Sequence, residues 1–136
     1  MRYLGIDYGN KHIGLAIGDD ETKVAVPLET FFNKGIDVFC SEIQRIAQYE
    51  NIGKCVVGVP ALGAVFHEQR DVIENVVEHM RKTLSIPVAK MDESFTTREA
   101  QHLLREDGGA PDTDEHAVAA MLILQSYLDR IRRTEV

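Results

Sequence analysis

Residues 54–60, Lys-Cys-Val-Val-Gly-Val-Pro, form an apolar run in which polar and apolar positions do not alternate. A strand of that pattern is shielded from water on both faces, so it belongs inside a sheet covered on both sides. The chain supplies helical cover before and after it. Ile36, Phe39, Cys40, Ile43, Ile46 and Ala47 predict an amphipathic helix from about Ile36 to Glu50. Ile73, Val76, Val77, Met80 and Leu84 predict another from about Glu68 to Leu84. Ile86 to Asp92 reads as a short strand that ends in acids. Alternating strand and helix implies parallel pairing through right-handed crossovers.

The first third of the chain has a different rhythm. Strands are expected from about Arg2 to Asp7, His12 to Gly18 and Lys23 to Glu29, with Gly9-Asn10 and Asp19-Asp20-Glu21-Thr22 as turns. Three strands joined this closely make an antiparallel meander. Pro27 cannot donate a ladder hydrogen bond, which places the third strand at a sheet edge. Towards the other end, Thr96-Thr97-Arg98-Glu99 is a capping box for a helix reaching Glu106, stopped by Gly108-Gly109. Asp112 or Thr113 then caps a final helix with a core face of Ala117, Ala120, Met121, Leu124, Leu128 and Ile131. The expected architecture is a single α/β domain over residues 1–136. It has a mixed five-stranded sheet, an antiparallel three-strand meander plus two parallel strands, with helices on both faces.

Composition narrows the setting. Cys40 and Cys55 lack metal-ligand spacing and read as small buried apolar groups. The N-terminal apolar run meets Asp7 at once, and no stretch approaches the roughly 20 apolar residues that span a bilayer. A cytoplasmic protein with no membrane partner is expected, as a monomer or weak homodimer. The formal net charge is −7. A general nucleic-acid coat protein is basic, so that class is disfavoured. A nuclease remains compatible, because divalent ions neutralise clustered carboxylates locally.

Chemistry-bearing residues fall at the ends of elements. Asp7 ends the first strand, and strict alternation sets it beside Gly14, Ala16 and Gly18 of the return strand. A carboxylate on a face stripped of bulk leaves room for a backbone, a phosphate or a metal. Asp92 and Glu93 end the last strand; Asp112, Asp114, Glu115 and His116 open the last helix. His116 lies four residues before Ala120, which turns it towards the core side, and a helix N-terminus disfavours cationic imidazole. Each position also has a plain role: Asp7 in a turn, the glycines in close helix packing, the acids as helix-terminal charges. Hard carboxylates converging from separate elements are nonetheless what a two-metal phosphodiesterase requires.

Four runs together resemble the YqgF/RuvX family. They are Gly5-Ile6-Asp7-Tyr8-Gly9 with Lys11, Gly14 and Ala16; Val56-Val57-Gly58-Val59-Pro60; Asp92-Glu93 with Thr96, Thr97, Glu99 and Ala100; and Ala119-Ala120 with Leu122, Ile123, Leu124, Gln125, Tyr127 and Leu128. They follow the family order and span nearly the whole chain. The resemblance implies an RNase H-like fold related to RuvC-type Holliday junction resolvases, and nuclease activity associated with the 5′ end of pre-16S ribosomal RNA. It implies Asp7, Glu93 and His116 as catalytic metal ligands, with Asp92 and Asp112 in reserve, and Lys11 and Arg98 as nucleic-acid contacts. His116 stands where many members have Asp. That change suits manganese better than magnesium, so the expected cofactor is a divalent ion, Mg²⁺ or Mn²⁺. The expected partner is structured RNA or branched DNA.

Three further departures reduce the expected grip on nucleic acid: Ser94 in place of the usual Arg, the apolar loop Ala61 to Phe66, and acids before the last helix. They keep in view a non-catalytic RNase H-like binding module. An actin-like ATPase, which opens with a similar strand-Asp-turn-strand, needs two such domains and is disfavoured by the length of 136 residues.

Overall fold

The computed structural model describes residues 1–60, 67–93 and 112–134. Strands β1 (Arg2–Tyr8), β2 (His12–Asp19) and β3 (Val24–Phe32) come first, followed by helix α1 (Ile36–Tyr49). Strand β4 (Ile52–Pro60), helix α2 (His67–Thr83), strand β5 (Val88–Glu93) and helix α3 (Asp112–Thr134) follow. The sheet order is β3-β2-β1-β4-β5. β1 pairs antiparallel with β2, and β2 with β3; β1–β4 and β4–β5 are parallel. The expected mixed five-stranded sheet is the one observed.

The buried run on β4 does what its composition requires. Cys55, Val57 and Val59 join one core with Leu4, Ile6, Ile13 and Leu15, covered by Phe39, Ile43 and Ile46 of α1 and Ile73, Val76 and Met80 of α2. Val56 lies in a second core on the opposite face, with Tyr3, Ala16 and Met91, beneath Ala120, Ile123, Leu124 and Leu128 of α3. Ile123 is a buried α3 residue outside the predicted stripe. Among the described residues, helices therefore cover both faces: two on one side, one on the other.

Several boundaries differ from expectation, each for a local reason. β3 begins at Val24 rather than Lys23, because Lys23 takes a left-handed φ of 61° and belongs to the turn. β3 also runs on to Phe32, beyond the predicted Glu29. Pro27 is on the edge strand as predicted, and the β2 register shifts there: Leu15 faces Glu29 while Ala16 faces Pro27, which leaves Leu28 as an extra residue. β5 starts at Val88 rather than Ile86; the Pro87 carbonyl accepts from Cys55 N–H before regular pairing begins. α1 ends at Tyr49, and Asn51 then turns the chain with a left-handed φ of 57°. The predicted helix from Thr96 to Glu106 lies outside the described residues.

Candidate active site

The site is built on the face of β1 and β2 that carries almost no side-chain volume. Asp7 pairs with Gly14, Gly5 with Ala16, and Tyr3 with Gly18. Helix α3 lies directly on this track. A Cβ placed on Gly5 would come 2.7 Å from Leu124 Cβ and 2.8 Å from the Ala120 carbonyl oxygen. One placed on Gly14 would overlap the His116 carbonyl. The glycines thus permit a helix backbone to rest against the strands, one of the two roles open to them from sequence. Gln125 fixes the helix laterally: its Oε1 accepts from Ala25 N–H at 2.9 Å, and its Nε2 donates to the Lys23 carbonyl at 2.8 Å.

With α3 held this close, its first turn brings His116 to the end of β1. His116 Nδ1 lies 3.5 Å from Asp7 Oδ2, and both side chains are about three-quarters buried, with exposures of 27% and 22%. That separation is longer than a good N–H···O hydrogen bond. It matches two ligand atoms each about 2.1 Å from one shared cation, which lie about 3 to 4 Å apart. Carboxylate plus imidazole is a donor set that suits a divalent transition ion. The pair fits the expected metal.

His12 adds a neighbour that periodicity did not single out. Its ring stacks on His116 at 5.1 Å between centroids and 22° between planes. Phe32, its cross-strand partner, also meets it, at 5.0 Å and 38°. Asn33 is a second missed residue. Its Nδ2 donates to the Gly9 carbonyl at 2.9 Å, its N–H to the Lys11 carbonyl at 2.8 Å, and its Oδ1 accepts from Gly35 N–H at 2.9 Å. It clamps the β1–β2 turn to the start of α1, and Gly35 meets this demand with a φ of 107° that favours glycine. A lone Asn before a helix carries no sequence signal for contacts that reach back across two strands.

The remaining predicted residues fall into three groups. Asp92 is largely exposed and lies 3.6 Å from Arg70 Nη1 of α2. Arg70 also donates to the Pro60 carbonyl at 2.6 Å, tying together the ends of β4 and β5. Asp92 therefore belongs with α2, on the face where Lys90 Nζ meets Glu74 at 3.1 Å, and is not brought to Asp7. Glu93 is the last residue of β5 and pairs with Pro60. Lys11 is exposed in the β1–β2 turn. Asp112 opens α3, one helical turn before His116. The side chains of Glu93 and Asp112, together with Ser94, Arg98 and the loop 61–66, lie outside the described residues. Among the described residues no cluster of three or more His, Cys, Asp or Glu is formed that could hold a metal.

The cysteines are remote from this chemistry. Both are buried, and desolvation pushes the Cys55 thiol up to about 12 and raises that of Cys40. They pack the core as protonated thiols. No helix among the described residues is long and apolar enough to cross a membrane.

Comparison with known proteins places this geometry. The family model described as "RuvX: Holliday junction resolvase" matches residues 1–130. A protein of Dictyoglomus turgidum named "Putative pre-16S rRNA nuclease" is 35% identical, covering 96% of both chains. One of the same name from Syntrophus aciditrophicus is 34% identical over 100% of this chain and 93% of its own length. Among solved structures, Thermus thermophilus RuvC in complex with a Holliday junction superposes with a TM-score of 0.61 at 16% identity, covering 96% of each chain. The fowlpox virus resolvase with Holliday junction DNA gives 0.59 at 11%, covering 96% of this chain and 99% of the resolvase. At those identities the structures speak for the fold alone, which is that of the RuvC-like RNase H resolvases. Sequence and fold agree, and the chain belongs to the RuvX family.

Proposed function

We propose that the protein is a divalent-metal-dependent nuclease that hydrolyses phosphodiester bonds, acting on the 5′ end of pre-16S ribosomal RNA. The observation that carries this reading is the Asp7–His116 pair, 3.5 Å apart on a sheet face cleared by Gly5 and Gly14. The names carried by its relatives support this choice of substrate.

Asp7, Glu93 and His116 are the residues assigned to hold the metal. Asp92 is engaged on the α2 side, 3.6 Å from Arg70 Nη1, which disfavours it as a partner of Asp7. When bound, a divalent ion supplies a nucleophilic water at neutral pH and stabilises charge on the leaving oxygen. The chain's own residues set the conditions for this. Asp7 offers a carboxylate oxygen, Oδ2, held on a strand rather than a loop. His116 presents Nδ1 from the first turn of α3. Burial of both side chains limits competing water. Lys11 in the turn, and Arg98, are assigned to the substrate backbone.

The test is cleavage of a pre-16S 5′-leader RNA and of a four-way DNA junction, each with manganese or magnesium. Asp7→Asn is expected to lower cleavage about a thousandfold while leaving circular dichroism and thermal midpoint unchanged. Undiminished cutting by that variant overturns the assignment. The family description favours a second reading, a Holliday junction resolvase-like endonuclease, and preferential cutting of the DNA junction would select it.

A further inference from the structure

We propose that the exposed ring of Phe32, backed by His12 and His116, stacks an unpaired nucleobase of the substrate next to the Asp7–His116 pair. The proposal rests on the nucleic-acid reading above and adds what recognises the strand beside the cut.

Three rings connect by successive contacts from the sheet edge to the candidate metal ligands. Phe32 lies 5.0 Å from His12, His12 lies 5.1 Å from His116, and His116 lies 3.5 Å from Asp7. All are on the α3 side of the sheet, because His12 and Phe32 are direct cross-strand partners and His12 meets a helix α3 residue. Cross-strand packing accounts for the contact of Phe32 with His12. It leaves unexplained the 66% of its surface that Phe32 keeps exposed as the final residue of the edge strand. A large apolar ring is thereby presented to solvent two ring contacts away from His116.

Charge indicates what it takes. With a net charge of −7 the protein has little general attraction for a phosphate backbone. Beside the few basic residues assigned to the backbone, affinity for nucleic acid then gains from contacts that carry no charge. Stacking of bases on aromatic rings is such a contact; it tolerates any sequence and requires bases that are not already paired. RNA and DNA share the chemistry.

The experiment uses the full chain with short single strands of RNA and of DNA carrying 2-aminopurine, and with a blunt RNA duplex of the same sequence. Calcium replaces manganese so that binding is read without cleavage, by anisotropy and by 2-aminopurine quenching. Phe32→Leu, which keeps apolar bulk but removes the ring, should weaken single-strand binding about tenfold, abolish the quenching and leave duplex binding within about twofold. Phe32→Trp should restore both signals. In manganese, Phe32→Leu should raise KM for the preferred substrate with kcat unchanged. Equal losses on single strand and duplex, or quenching that survives in Phe32→Leu, overturn the platform while leaving the nuclease reading in place. A wild-type chain that neither binds nor cuts any of these nucleic acids overturns both. A stronger loss on RNA or on DNA identifies which strand the platform serves.

Discussion

The two faces of this sheet are built on opposite principles. Under α1 and α2 the strands project Leu4, Ile6, Ile13, Leu15, Val57 and Val59, and the helices stand off on a thick layer of side chains. Under α3 the strands project Gly5, Gly14, Ala16 and Gly18, and the helix backbone rests nearly on the sheet. The thick layer removes much apolar surface from water, at roughly 25 cal/mol per Å². The thin layer forgoes some of that burial and gains proximity: it delivers a helix terminus, with His116, to a carboxylate at the end of a central strand. The larger core and the candidate site therefore lie on opposite faces of the sheet.

Substitutions on the two faces should separate in the same way. Phe39 is 1% exposed and meets Tyr8 edge-on at 5.0 Å. Phe39→Ala should cost about 3 to 5 kcal/mol by urea unfolding, through lost transfer energy and a residual cavity. Its kcat, measured well below the lowered midpoint, should match wild type. A parallel collapse of kcat would mean that the thick face also shapes the site. Gly14→Ala reverses the pattern. The new methyl meets the His116 carbonyl, so α3 must lift, at a stability cost of about 1 to 3 kcal/mol. Moving His116 by even about 1 Å from Asp7 should lower cleavage about a hundredfold. If Gly14→Ala is fully active, the close approach of α3 is a packing detail and the comparison fails.

The thick face was the legible one. Continuous apolar runs and helical spacing specify burial directly, so α1, β4, α2 and the parallel half of the sheet could be read within one or two residues at most ends. The thin face was legible only in part. Alternation placed Asp7 beside Gly14, and Pro27 placed β3 at the edge, because both follow from the geometry of a single hairpin or strand. That Asp92 sits on the α2 side, beside Arg70, could not be read from the sequence, because it depends on which face each helix covers, a tertiary fact. The His116–His12–Phe32 row and the Asn33 clamp were hidden for the same reason. Each joins residues far apart in the chain, through contacts that leave no periodic trace.

A finer difference lies within the thin face itself. Thr30 pairs with Gly14 on β3, and its hydroxyl is buried without a hydrogen-bond partner among the described residues. A buried hydroxyl in that state costs about 1 to 3 kcal/mol of lost hydration, with no bond to offset it. Val has nearly the same shape and no polar atom. If the thin face tolerates this hydroxyl only as a packing volume, Thr30→Val should raise the unfolding free energy by about 1 kcal/mol and leave cleavage unchanged. If instead the hydroxyl serves the site, the same variant should gain that stability and lose activity. The thin face would then forgo stability for function in its side chains as well as in its glycines. Urea midpoints and kcat measured on the one variant separate the two outcomes.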